Sequence, residues 1–333
     1  MSSNNVSDNQ ANQDAVQEGP NQAGKLTGSV RHGVVPAAGR GTRFLPATKA
    51  VPKEMLPIVD RPAIEVVVEE ATNAGLDDLL FITAAQKQAI EDHFDAAPDL
   101  ELALRESNKT KLLESIERYK HYTRIHSIRQ GHPQGLGHAV YQAHNHVGNN
   151  PFAVLLPDDL MHPEDPVLQK MIAVREQLGG SVVALLEVTP QQATAYGSAA
   201  VTNIPLASNG LDNVEGLSEG DVFRLDKIVE KPPIDEVLSE YASVGRFVLD
   251  PKVFEILETL PPGRGGEIQL TDSFQRLIET PENQGGGVTG VVIRGRRFDT
   301  GDKLGYLEAL VQMGLEHEEL GADFRAFLKG LDL

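Results

Sequence analysis

From residue 30 onward, short apolar runs alternate with longer segments of helical period, and this alternation limits the fold more than any other feature of the chain. Apolar runs at 79–83, 152–156 and 182–188 have the length of buried strands, and 125–128 reads as a further strand. Between them, residues 62–75, 86–94, 100–119, 136–146 and 167–178 read as helices, the first opened by Pro62 and closed by Gly75. Strands that alternate with helices need crossover connections, so the sheet should be mainly parallel, doubly wound and covered on both faces. In such a sheet ligands sit beyond the carboxyl ends of the strands, at the turns that follow them. Residues 198–201, 222–229 and 244–249 break the pattern with short strands and turns, as expected of a smaller β-rich lobe near 190–250. Helices at 252–260 and 270–280, a strand at 288–293 and a helical segment at 304–328 complete the reading.

The first 28 residues are rich in Asn, Gln, Ser, Asp and Gly with no hydrophobic period, and read as a disordered tail. No basic segment followed by an apolar run opens the chain, and no stretch nears the roughly 18 apolar residues of a membrane span. A cytoplasmic protein with no membrane partner is expected. Cysteine is absent, which excludes disulfides, thiolate catalysis and Cys-ligated metals. A formal charge of −18 disfavours nucleic acid as a partner, because that affinity comes from cations that neutralise phosphates. Any anionic substrate would need a locally basic pocket, so clustered Lys and Arg are informative.

Such a cluster follows the first strand. In Ala37-Ala38-Gly39-Arg40-Gly41-Thr42-Arg43, two glycines let the backbone approach a ligand and aim N–H groups at anionic oxygens. No Gly-Lys-Ser/Thr closes the loop, and the third glycine of a dinucleotide fingerprint is missing. Alone, the loop suits a structural connection as well as a phosphate cradle. Lys49-Ala50-Val51-Pro52-Lys53 shifts the balance by adding cations in a chain short of them. Arg43 and Lys53 together can neutralise a triphosphate.

Two acidic sites stand at predicted strand ends. Phe152-Ala153-Val154-Leu155-Leu156 runs into Asp158-Asp159, a pair that also suits a helix cap or a turn. Asp299-Thr300-Gly301 has the form of an aspartic protease triplet, but the α/β alternation and the lack of a second triplet argue against that reading.

The combined strings resemble the sugar-nucleotide pyrophosphorylase family, in its uridylyl branch. The likeness rests on Gly39-Arg40-Gly41-Thr42-Arg43, Leu45-Pro46-Ala47-Thr48-Lys49-Ala50 and Pro52-Lys53-Glu54-Met55-Leu56-Pro57. It also includes Gly135-Leu136-Gly137-His138-Ala139 and Glu267-Ile268-Gln269-Leu270-Thr271-Asp272, and runs from about Val34 to the C-terminus. The resemblance implies a Rossmann-like nucleotidyltransferase domain over 29–303 and a C-terminal helical segment over 304–333. It implies Mg²⁺ as cofactor, UTP and glucose 1-phosphate as substrates, UDP-glucose and pyrophosphate as products, and a homodimer or homotetramer. It assigns Arg43 and Lys53 to catalysis, and Ala38, Gly39, Gly41, Thr42, Gln130 and Gly135 to the nucleotide. Asp158 and Asp299 would hold the metal, with Asp159 in a lesser supporting role. Tyr196, Gly197, Glu230, Lys231 and Gly245 would hold the sugar phosphate, and Glu267 is placed less firmly. Because the attacking phosphate oxygen is already anionic, no protein nucleophile is expected, only positioning and charge stabilisation.

Overall fold

The computed structural model describes residues 29–332, so the expected disordered tail at 1–28 lies outside the described residues. Thirteen strands occur among them. These are β1 His32–Pro36, β2 Pro57–Ile58, β3 Arg61–Pro62, β4 Asp78–Thr83, β5 Arg124–Arg129, β6 Phe152–Leu155 and β7 Asp159–Met161. The remainder are β8 Ser181–Glu187, β9 Gly197–Asn203, β10 Val222–Glu230, β11 Tyr241–Leu249, β12 Val288–Val292 and β13 Arg297–Asp299. Nine form one sheet in the order β5-β4-β1-β6-β11-β8-β12-β10-β9. Two short ribbons, β2 with β3 and β7 with β13, stand apart from it.

The half of the sheet that carries the glycine loop is parallel: β5, β4, β1 and β6 run side by side in one direction. Each is linked to the next through helical segments, and parallel neighbours require such crossovers. Beyond β6 the sheet becomes mixed. β11 runs antiparallel to both β6 and β8, and β10 antiparallel to both β12 and β9. The β-rich stretch therefore joins the main sheet instead of forming a sheet of its own: β9 and β10 extend its far edge, and β11 inserts between β6 and β8. The links from β9 to β10 and from β10 to β11 contain only short 3₁₀ turns, which suit antiparallel returns.

Alternation along the strands sends side chains to two cores. Val35, Leu79 and Phe81 pack with helices Ala63–Asn73 and Val167–Leu178 on one face. Val34, Leu80 and Ile82 pack with Leu136–Tyr141, Lys252–Thr259 and Leu270–Glu279 on the other. Burying a side chain of this size is worth roughly 1.5–3 kcal/mol, so both faces hold the sheet firmly.

Three expected long helices are broken. The segment 100–119 divides into Pro98–Glu106, Thr110–Ile116 and a 3₁₀ turn, with Asn108 in the left-handed region at φ 55° between the first two. The segment 136–146 divides into Leu136–Tyr141 and His144–Val147. The C-terminal segment divides into Lys303–Glu316 and Gly321–Lys329, because the backbone becomes extended at His317. Among the described residues, no helix is long and apolar enough to cross a membrane.

Candidate active site

Strand β1 delivers the glycine loop to the carboxyl edge of the sheet, where the Ala37 N–H donates to the Ile82 carbonyl at 2.9 Å. Gly41 sits at φ 64°, a conformation that favours glycine, and the Thr48 hydroxyl fixes its carbonyl at 2.6 Å. The loop wraps Lys53: a Cβ at position 39 would lie 3.6 Å from Lys53 Cε, and one at position 41 would lie 3.2 Å from Lys53 Cβ. Arg43, on the 3₁₀ turn Thr42–Phe44, donates from Nη1 to the Gly301 carbonyl at 3.2 Å. Thr42 is exposed and its side chain makes no hydrogen bond among the described residues.

The two acidic strand ends meet. β7 pairs antiparallel with β13, setting Asp159 opposite Asp299, and the Asp158 carbonyl accepts from the Thr300 N–H at 2.7 Å and the Thr300 hydroxyl at 2.9 Å. A Cβ at position 301 would lie 2.7 Å from Asp158 Oδ2 and 3.1 Å from Asp299 Oδ1. Both carboxylates thus face one point beside Gly301, with these oxygens no more than about 6 Å apart. Two carboxylates around a space that a methyl group would fill suit a hard cation that keeps several water ligands, as Mg²⁺ does. Lys53 Nζ forms an ion pair with Asp158 Oδ2. Burial alone would raise the Asp158 carboxyl, but the Lys53 ammonium outweighs it and holds Asp158 below the usual range. Burial likewise works against the Lys53 charge, while Asp158 and Glu54 raise its pKa above that of a free lysine. Both groups stay charged at neutral pH.

Arg297 organises the floor beneath this pair. Its Nε and Nη2 reach Asp159 at 2.5 and 3.0 Å, its Nη1 donates to the Tyr196 hydroxyl at 3.0 Å, and its guanidinium lies 5.0 Å from the centre of the Tyr196 ring. Asp159 also accepts the Gly245 N–H at 2.7 Å, while the Tyr196 hydroxyl donates to Asp299 Oδ2 at 3.2 Å. Asp159 therefore aims Arg297 and Gly245 rather than facing the cleft. Sequence reasoning missed Arg297. Its signal was the two-residue period of β13, which puts positions 297 and 299 on the same face. Arg246, fully buried, was also missed: it pairs with Glu70 at 2.6 and 2.9 Å and donates to the carbonyls of Leu156 and Gly245 at 3.1 and 2.9 Å. It thereby fixes the strand end just ahead of Asp158.

On one side of the acidic pair a cavity of about 500 Å³ is lined by Ala38, Gly39, Lys53, Gln130, Gly135 and Asp158, among others. The Gln130 amide donates to the Gly135 carbonyl at 3.3 Å and lies 2.9 Å from His138 Nδ1, which fixes its direction. Gly135, at φ 107°, has no room for a side chain, because a Cβ there would lie 2.6 Å from the Ile268 carbonyl oxygen. Glu267 lines the same cavity. Nearby, Glu230 ends β10 opposite Gly197, accepts the Thr271 hydroxyl at 2.6 Å and stands 3.3 Å from Lys231 Nζ. Lys231 sits at φ 44°, and its N–H is bound to the Tyr196 carbonyl at 2.9 Å. Tyr196 thus joins the Glu230–Lys231 turn to Asp299. A larger cavity of about 770 Å³, near Gly179, Asp250 and Gly286, contains none of the residues expected at the site.

A parallel half-sheet with a glycine loop, two cations and a carboxylate pair beyond its strand ends defines a nucleotide-handling α/β protein. The nucleotidyl transferase family matches residues 32–313, and the chain belongs to that family. It is 43% identical over 300 residues to the UTP–glucose-1-phosphate uridylyltransferase YngB of Bacillus subtilis, covering 90% of this chain and 95% of that protein. A Staphylococcus epidermidis UTP–glucose-1-phosphate uridylyltransferase is 40% identical over 304 residues, covering 91% and 99%. Among solved structures, a UTP-bound UGPase from Acinetobacter baumannii superposes with a TM-score of 0.80 at 38% identity, covering 91% of this chain and all of that one. A UDP-glucose pyrophosphorylase complexed with UDP-glucose gives a TM-score of 0.73 at 35% identity, covering 86% of this chain and all of that one.

Proposed function

We propose that this chain transfers UMP from UTP to α-D-glucose 1-phosphate, releasing pyrophosphate and forming UDP-glucose. The observation that carries the reading is the meeting of Lys53, Asp158 and Asp299 around Gly301, between a cavity bounded by Gln130 and a turn bearing Glu230 and Lys231. The reaction must bring a sugar phosphate dianion against the α-phosphorus of a second polyanion, and their repulsion grows as water is excluded. Mg²⁺ held by Asp158 and Asp299 would supply the dipositive charge that draws the phosphates together.

The chain's own residues do the rest. Gln130 and the Gly135 backbone accept the uracil edge, for which an amide offers both a donor and an acceptor. The backbone of Ala38, Gly39 and Gly41, with Thr42, lies along the nucleotide, and Arg43 and Lys53 bind its phosphates. Lys231 holds the sugar phosphate, Glu230 accepts sugar hydroxyls, and Tyr196, Gly197 and Gly245 form the wall beside the hexose. The phosphate oxygen attacks in line and the bond to pyrophosphate breaks. No proton needs to be removed from the nucleophile. The exposed apolar side chains Leu304, Leu307, Val311 and Phe327 on the C-terminal helices fit a contact in a homodimer or homotetramer, and the enzyme works in the cytoplasm.

The test is pyrophosphate release by the purified chain with Mg²⁺ and glucose 1-phosphate, supplied in turn with UTP, dTTP and ATP. The reading predicts turnover with UTP and formation of UDP-glucose. Preferred use of dTTP or ATP would make the chain a different sugar-1-phosphate nucleotidyltransferase. Binding of UTP without pyrophosphate release would make it a non-catalytic relative.

A further inference from the structure

At the end of the sheet opposite the glycine loop, three histidines surround one carboxylate. His32 opens β1, Asp78 opens β4, His126 lies near the start of β5, and His146 comes from the short helix His144–Val147 that covers this face. Asp78 Oδ1 lies 2.8 Å from His146 Nε2 and 3.9 Å from His32 Nδ1, and Asp78 Oδ2 lies 3.7 Å from His126 Nε2. The His126 and His146 rings are 5.1 Å apart, and those of His32 and His146 6.2 Å. Potential ligand atoms of His32, Asp78 and His146 all fall within 4.8 Å of one another.

A second observation is independent of this gathering. His32 Nδ1 is buried from solvent and makes no hydrogen bond among the described residues. A buried imidazole nitrogen with no partner costs free energy, and natural proteins rarely leave one so. This one lies close to Asp78, and a shared cation would satisfy it.

We infer that His32, Asp78, His126 and His146 form a binding site for a borderline divalent transition ion, with Zn²⁺ the best fit. Imidazole nitrogens with one carboxylate match that class, whereas Mg²⁺ prefers oxygen ligands throughout. In a tetrahedral zinc site with bonds of about 2.0–2.1 Å, neighbouring ligand atoms stand about 3.3 Å apart. From Asp78 Oδ1 the separations of 2.8 Å to His146 and 3.9 Å to His32 bracket that value, and His126, 3.7 Å from the other carboxylate oxygen, would complete the shell by turning its half-exposed ring. The ion ties three adjacent parallel strands to the helix above them. It lies at the starts of β1 and β4, whereas the carboxylate pair lies beyond the strand ends, roughly 15 Å away at about 3.3 Å per residue. It is therefore a structural ion separate from the catalytic one.

The experiment uses the full chain without an affinity tag, stripped by a chelator. It is titrated calorimetrically with Zn²⁺ in the presence of excess Mg²⁺, and spectroscopically with Co²⁺. One Zn²⁺ per chain is expected, with Kd below about 10 µM, a raised Tm, and for Co²⁺ the intense visible bands of tetrahedral coordination. His146→Gln and Asp78→Asn should each weaken Zn²⁺ binding at least tenfold. Asp158→Asn and Asp299→Asn, which alter the carboxylate pair, should leave it unchanged. His126 is half exposed, so His126→Gln is the variant that keeps the fold if the others fail to, and it too should weaken binding and remove the tetrahedral Co²⁺ spectrum. Absence of Zn²⁺ binding at 100-fold molar excess, or binding that survives His126→Gln with the same affinity and spectrum, overturns the assignment.

Discussion

Arg297 grips both carboxylate oxygens of Asp159, and through that grip the Tyr196 hydroxyl is set against Asp299. Burial works against the Arg297 charge, but Asp159 outweighs it and raises the guanidinium pKa above its ordinary value. Burial, with Asp299 adding to it and Arg297 opposing, likewise keeps the Tyr196 hydroxyl protonated as a donor. Arg297→Lys keeps a charge but loses the planar fork that two parallel bonds require. It should lower kcat/KM for glucose 1-phosphate about 10- to 100-fold while Tm moves by only a few degrees. Steady-state kinetics beside a thermal melt decide it; unchanged kcat/KM would remove Arg297 from the site's support.

Lys53 and Asp158 should fail in different ways. Lys53→Ala removes the cation that the proposed function sets against the phosphates, and a fall in kcat of roughly 10²–10³ is expected from loss of one such charge in a shielded site. Asp158→Asn leaves Lys53 in place but halves the acidic pair, so the Mg²⁺ concentration for half-maximal rate should rise by at least tenfold. Titrating Mg²⁺ against pyrophosphate release for both variants separates the roles. A similar Mg²⁺ dependence in wild type and Asp158→Asn would show that Asp158 does not hold the ion.

Gly301→Ala tests the geometry without removing any charged group. Its methyl group would lie 2.7 Å from Asp158 Oδ2 and 3.1 Å from Asp299 Oδ1, closer than carbon and oxygen tolerate without displacement. Magnesium-dependent turnover should drop at least tenfold, with far-UV circular dichroism unchanged. Wild-type rates would mean that the space beside Gly301 is not where the reactants or their ion sit.

Part of this candidate site was legible in the sequence, because the glycine loop and the acidic pair stand at strand ends that hydrophobic runs reveal. The run at 152–156 announced Asp158, and the cations after the glycine loop pointed to Lys53, whereas Gln130 and Glu230 came from the family resemblance. Strand partners were less legible. Nothing local in the apolar run of β11 says that it lies between β6 and β8, antiparallel to each, since such a run has no polarity to read. Helix length also escaped: at Asn108 the left-handed conformation that asparagine tolerates ends an exposed helix, and at His317 the backbone turns extended. Arg246 and Glu70 are 176 positions apart, and their pairing is a property of the folded chain alone. Charged residues in helical or strand periods default to solvent, so a buried ion pair leaves no mark in the sequence.

The acid limb of stability should trace to Glu65, on the helix Ala63–Asn73. Its carboxylate lies 2.7 Å from His93 Nε2 and accepts the Tyr122 hydroxyl at 2.9 Å. Burial would raise its pKa, but the bonds from His93 and Tyr122, together with the Arg61 charge, outweigh it and hold Glu65 below the usual glutamate range. Because the folded pKa is the lower one, the carboxylate's contribution is complete above the unfolded value of about 4.3 and is lost as pH falls through the folded value. Glu65→Gln keeps the shape and removes the charge. It should cost about 1.5–3 kcal/mol at pH 7, the range for hydrogen bonds to a charged group. As pH falls below about 4, the stability gap between wild type and variant should close, because the wild-type carboxyl becomes neutral as well. Urea denaturation at pH 7, 5, 4 and 3 measures the gap directly. A gap that stays constant down to pH 3, or widens, would show that the Glu65 charge does not contribute in this way.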